Sequence, residues 1–125
     1  MDNKELVDAL KSFYDELKTD NLDDMDDMYH DEVSFTDPIH QVVGLEDLKE
    51  YFKGTMENVE YCHFTFDDEC VSEDKAYLSW QMRYAHPKIG NGMEVILPGV
   101  SYISFEDGKI REQRDYYDLG AMLYE

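Results

Sequence analysis

Residues 76–86 place Ala76, Leu78, Trp80, Met82, Tyr84 and His86 on one face, with the intervening residues on the other. Strict period two over that length predicts a long strand with one buried side. Three further runs, 59–71, 93–106 and 109–118, read the same way. They are separated by turn signals at Ser72–Lys75, Pro87–Gly92 and Asp107–Gly108, the last a strong two-residue hairpin signal. Strands well beyond the usual five or six residues cannot stay flat. Pro98–Gly99, in the middle of the 93–106 run, predicts a bulge or sharp bend there. The chain must therefore build a long, curled antiparallel meander.

The first half reads as helices. Leu6, Leu10, Phe13, Tyr14 and Leu17 recur at helical spacing and predict a helix over about 3–18. Asp20 or Asn21 caps a short second helix with Leu22, Met25, Met28 and Tyr29 as its apolar stripe. A short strand over 32–37 follows. Gly44 then precedes a third helix, in which Leu45, Leu48, Tyr51, Phe52 and Met56 share a face. The predicted order is α-α-β-α-β-β-β-β, an α+β domain in which a cone-shaped, curved antiparallel sheet closes over N-terminal helices. Residues Leu119 to Glu125 read as the start of another helix. A chain of 125 residues forms one domain, 1–125, with one core and room for one small cavity.

Thirty acidic residues against 11 basic ones give a net charge of −19. Such a surface repels phosphate backbones and anionic lipid, which argues against nucleic-acid and membrane partners. No apolar run approaches the roughly 20 residues of a membrane-spanning helix. Met1–Glu5 has no basic region leading into an apolar one, so a cytoplasmic location is expected. Cys62 and Cys70 would lie roughly 26 Å apart in one continuous strand, too far to pair. They also lack the basic neighbours that make a thiolate reactive. The acids from Asp20 to Asp31 lack the glycine and spaced glutamate of a calcium loop. No His-x-x-x-His or Cys-x-x-Cys spacing occurs, so neither a metal site nor a cofactor is expected.

Asp37 stands apart from the other acids. It ends the apolar run Val33-Ser34-Phe35-Thr36 and is followed by Pro38. A carboxyl among aromatics at a strand end is a candidate acid or base near neutral pH; as a residue before proline it is also a natural turn former. His40, three residues on, is a candidate rim residue.

Phe13-Tyr14-Asp15-Glu16-Leu17, Asn21-Leu22-Asp23, Phe35-Thr36-Asp37-Pro38 and Gly44-Leu45 together resemble the nuclear transport factor 2-like superfamily. Gly108-Lys109-Ile110 and Arg114-Asp115-Tyr116-Tyr117-Asp118-Leu119 look like its SnoaL-like and limonene epoxide hydrolase branch. The resemblance spans essentially the whole chain. It implies a homodimer built on the open face of the sheet and a pocket for a small apolar molecule. Asp37 matches the general base of the ketosteroid isomerases, while their oxyanion-stabilising tyrosine and protonated aspartate fall on Phe13 and Val100, neither of which donates a hydrogen bond. Tyr14, one residue on, is expected to turn about 100° away from the pocket. Asp115 matches the acid of the hydrolases and of SnoaL-like cyclases. The hydrolase arginine and second aspartate fall on Trp80 and Met82, and its tyrosine and asparagine on Phe35 and Asp37.

The resemblance thus leaves Asp37 and Asp115 as a candidate catalytic pair, with walls from Phe13, Leu17, Phe35, Phe52, Trp80, Met82, Tyr84, Val100, Tyr102 and Tyr117. Tyr84, Tyr102 or Tyr117 is the candidate donor to a developing enolate. Two readings follow. One is a cofactor-independent isomerase- or cyclase-like enzyme acting on a small apolar, oxygenated ligand. The other is a non-catalytic binding or dimerisation module. Against a functional Asp115 stands an ion pair with Arg83, Arg111 or Arg114.

Overall fold

A computed structural model describes residues 1–15, 17–86, 89–118 and 120. The chain runs α1 (Asn3–Asp15), a 3₁₀ turn (Thr19–Asp24), α2 (Met25–Met28), β1 (Tyr29–Thr36), β2 (Gln41–Val43), α3 (Leu45–Glu57), β3 (Tyr61–Val71), β4 (Lys75–His86), β5 (Ile89–Glu106) and β6 (Lys109–Tyr117). The strands form one curved, unclosed sheet in the order β2-β1-β6-β5-β4-β3. The helices fill its concave side.

The helical stripe of α1 becomes core, with Leu6, Val7, Leu10, Phe13 and Tyr14 buried. Gly44, at φ 97°, turns the chain into α3 in a conformation that a Cβ would strain. Asp107 and Gly108, at φ 55° and 73°, form a two-residue turn of the primed type that matches the strand twist. Along β4, Ala76, Leu78, Trp80 and Tyr84 are buried while Tyr77 is exposed, as the alternation requires.

The architecture departs from expectation in five places. The sheet is mixed, because β1 runs parallel to β6 (Phe35 opposite Gln113, Thr36 opposite Arg114); this pairing joins segments far apart in sequence, and no local pattern encodes it. Strand β2 is an additional three-residue edge, and β1 starts at Tyr29, whose buried ring serves a strand as well as it would a helix. Strand β5 begins at Ile89, inside the expected 87–92 loop.

There is also no bulge at Pro98–Gly99, since the β4–β5 register runs unbroken from Lys75/Ser104 to Ala85/Glu94. Gly99 has another purpose. It lies opposite Trp80, and a Cβ there would collide with the indole ring. The expected C-terminal helix falls on 119–125, outside the described residues save Gly120.

Among the described residues, no helix is long and apolar enough to cross a membrane. Cys62 and Cys70 both sit on β3 as free thiols, Cys62 buried and Cys70 exposed. Near the β5–β6 turn, His30 Nε2 lies 3.5 Å from Glu106 and 3.7 Å from Asp107. Its Nδ1 accepts the Glu32 N–H at 3.0 Å, which leaves Nε2 facing the two acids.

Candidate active site

A cavity of about 480 Å³ opens between α3, the end of β1 and the concave face of β3–β6. Leu17, Phe35, Asp37, His40, Phe52, Trp80, Met82, Tyr84, Asp115 and Tyr117 all lie on its wall. The fold therefore brings the two aspartates to one space.

Three expected wall residues lie elsewhere. Phe13 is buried in the helix layer, edge-on to Tyr14 at 5.3 Å. Val100 and Tyr102 belong to the outer face. Ser101 pairs with Asp115 and points inward, so its neighbours on a regular strand must point outward. Val100 is accordingly 40% exposed, and Tyr102 packs at a tilt against the exposed Tyr77 and under the Arg114 guanidinium. The expectation for Tyr14 is also reversed. It lines the cavity, and Phe13 is the residue that turns away.

Asp37 is both a turn former and a wall residue. Its Oδ1 accepts the backbone N–H groups of Ile39 at 2.9 Å and His40 at 2.7 Å. Its Oδ2 accepts from the Tyr51 hydroxyl, one turn ahead of Thr55 on α3. Tyr51 was legible only as part of an apolar helix face. Burial of its ring, and then the hydrogen bond to Asp37, raise its pKa well above that of an ordinary tyrosine, so it remains the donor. His40 sits at the rim, half exposed, with Nδ1 3.9 Å from Asp37.

Asp115 has neutral partners. Arg114 pairs with Glu112, and Arg111 bonds the Glu32 carbonyl and lies 3.5 Å from Glu106. Asp115 Oδ1 accepts from Ser101 Oγ at 2.6 Å and Gln113 Nε2 at 3.0 Å. Trp80 Nε1 donates to Ser101 Oγ at 2.9 Å, which leaves the serine proton for the carboxylate. Burial pushes the Asp115 carboxyl up to about 6, the Ser101 and Gln113 hydrogen bonds pull against that, and the Asp37 charge adds to it. No described residue donates to Oδ2, so that oxygen is the one available to exchange a proton with a ligand.

Behind Asp115 lies a closed polar ring that the sequence concealed. Tyr29 donates to Gln113 Oε1 at 2.6 Å, Gln113 Nε2 lies 3.3 Å from the Tyr14 hydroxyl, and the Tyr14 and Tyr29 hydroxyls are 3.0 Å apart. With the Tyr29 proton committed to Gln113, Tyr14 must donate to Tyr29. Gln113 is 1% exposed. Its one sequence signal is its position two residues before Asp115, on the same face of β6. A Tyr29→Phe substitution would leave both Gln113 Oε1 and the Tyr14 proton unpaired in the core. It is expected to lower stability by about 2–3 kcal/mol, measurable as a lower urea midpoint at unchanged slope.

The comparisons agree with this fold. No curated protein sequence matches the chain. Among solved structures, it is similar to an NTF2-like protein of unknown function from Burkholderia pseudomallei K96243, at 16% identity and TM-score 0.83, covering 96% of this chain and 93% of that one. It is similar to an LEH-like epoxide hydrolase from M. tuberculosis, at 15% identity and TM-score 0.77, covering 95% and 86%. It is also similar to TerC, co-crystallised with polyporic acid, at 15% identity and TM-score 0.80, covering 95% and 93%. At these identities the likeness establishes the fold. The SnoaL-like domain profile matches residues 10–113, most of the chain, and the protein belongs to the SnoaL-like domain family.

Proposed function

We propose that this protein is a cofactor-independent, isomerase- or cyclase-like enzyme that moves a proton on a small apolar, oxygenated molecule, with Asp115 as the acid/base group. The observation that carries this reading is the Asp115 carboxyl on the wall of a largely aromatic cavity, with one oxygen unengaged, where burial raises its pKa to about 6. A base whose pKa lies near the working pH combines adequate basicity with ready protonation, which suits enolisation next to a carbonyl. Asp37, held by three donors, acts on Asp115 through its charge and on the ligand through Tyr51. A similar fold co-crystallised with polyporic acid supports a ligand of this class.

The test is exchange of deuterium from D₂O into the α-position of 1-tetralone. The wild-type protein should accelerate it, with the rate rising with pH through about 6 as the base ionises. An accelerated rate that is indifferent to Asp115→Asn would leave this reading without its base.

The outer face of the sheet supports assembly. Tyr77, Ile96, Val100 and Tyr116 are 45%, 53%, 40% and 54% exposed on adjoining strands β4–β6, and grouped exposed apolar side chains of this kind favour a protein contact. We assign it to contact with a second copy. Placing a charge there by Val100→Glu is expected to convert a dimer to a monomer in sedimentation, leaving the melting profile of the monomer intact.

A further inference from the structure

We propose that the ligand of this cavity carries a positive charge, as a protonated amine or quaternary ammonium on a small apolar skeleton, selected by Asp37, Asp115 and the rings of Tyr51 and Tyr117. This deepens the function proposed above and rests on the cavity being a small-molecule site. One molecule can carry both an oxygen for proton transfer and a nitrogen for recognition, an amino ketone being the simplest example.

The wall holds two carboxylates, Asp37 and Asp115, and the described lysines and arginines all lie off it. The donors on those carboxylates are the N–H groups of Ile39 and His40 and the side chains of Tyr51, Ser101 and Gln113. All are neutral, so they spread the negative charge without cancelling it. Among the described wall residues, only His40 and His86 could become cationic by taking up a proton, and His40 stands half exposed at the rim. Two like charges in one apolar space are costly to hold. A cation brought by the ligand removes that cost.

The charges and rings are within reach. Asp115 points to the concave side and yet keeps partial exposure, which the cavity supplies. Tyr51 and Tyr117 are partly exposed wall residues as well. Burial, and after it the charges of Asp37 and Asp115, raises the Tyr117 pKa. Burial, then the hydrogen bond and charge of Asp37, with a smaller part from Asp115, raises that of Tyr51. Both rings therefore stand in the field of both carboxylates, and both remain neutral phenols. An aromatic face attracts a cation, so rings and carboxylates favour the same ligand charge. The net charge of −19 acts in the same sense at longer range, drawing cations toward the protein.

The probe pair is (3-hydroxyphenyl)trimethylammonium and 3-tert-butylphenol, which share a shape and differ in charge. Trp80 is the single tryptophan and lines the cavity, so its indole N–H gives one NMR signal that reports occupancy. At pH 7, where Asp115 is largely ionised, the wild-type protein should bind the ammonium about tenfold more tightly than the neutral phenol. Asp115→Asn should lose that preference, weakening the ammonium about tenfold while the neutral phenol binds at least as well. Asp31→Asn, which removes an exposed charge away from the wall, should keep it. Equal affinity of the wild type for the two probes would overturn the inference without recourse to any variant. So would a preference that survives Asp115→Asn, or a Trp80 signal that neither probe moves at millimolar concentration. A preference lost equally in Asp31→Asn would overturn it too, since diffuse surface charge would then be the cause. A preference lost only in Asp115→Asn, with no deuterium exchange in the wild type, would sink the enzymatic reading alone. Asp115-dependent exchange with equal affinity for the two probes would sink this inference alone.

Discussion

An Asp115→Asn variant should lose about 10³-fold of the deuterium-exchange rate and yet be more stable than the wild type at neutral pH. The loss follows from removal of the group that takes the proton. The gain follows from linkage. Burial raises the folded-state carboxyl to about 6, whereas an unfolded aspartate titrates near 3.9. Between those values the folded protein holds the extra proton, so stability falls as pH rises through that window. Above about 6 the full cost of keeping the carboxylate ionised is present, about 3 kcal/mol from the size of the shift; below about 4 it is absent. Asparagine keeps an oxygen for Ser101 and Gln113 but carries no charge.

The variant should therefore melt several degrees higher at pH 7.5 and lack the decline between pH 4 and 6 expected of the wild type. Thermal melts across pH on both proteins measure this directly. An aspartate with a purely structural role would show the opposite result, a variant less stable at every pH. Stability gained where activity is lost is the usual mark of a functional group held in an unfavourable setting.

Gly99→Ala is the second large effect, and it acts through packing. The methyl group would occupy the space of the Trp80 ring, and the indole is 2% exposed with the aromatic neighbours Phe64 and Tyr117. A buried ring that cannot move freely makes overpacking costly, about 3 kcal/mol here. The consequence reaches the site, because displacing the indole pulls Nε1 from Ser101 Oγ and so disturbs the serine that donates to Asp115. The expected result is a lower urea midpoint, a shifted Trp80 indole signal and an altered pH midpoint for exchange. A variant with the wild-type midpoint and indole signal would mean that the ring has room that the structure does not give it.

The periodicities were enough to place the elements. Period two over 76–86 became β4, the α1 stripe became core, and Asp107–Gly108 became the hairpin, because each rests on local sterics and on burial of one face. Resemblance on short motifs located Asp37 and Asp115, and the tertiary structure brings both to one cavity. The finer assignments on β5 and α1 did not transfer. Val100 and Tyr102 fell on the wrong side, and Phe13 stood where Tyr14 belongs. On a strand a shift of one residue reverses the face, and on a helix it turns the side chain by about 100°; motif similarity carries no such precision.

What the sequence determined by itself was the repertoire: long strands that must curl, three helices to fill the curl, reduced cysteines, a strongly anionic surface and two candidate acids among aromatics. The tertiary structure decided the chemistry. It seated Asp115 beside Ser101 and Gln113 in place of an arginine and spent the protons of Tyr14 and Tyr51 on internal partners. It also ran β1 parallel to β6. Each of these depends on which side chains meet across strands and helices distant in sequence. Those meetings are fixed by register and by burial of the whole core, which no local pattern of residues encodes.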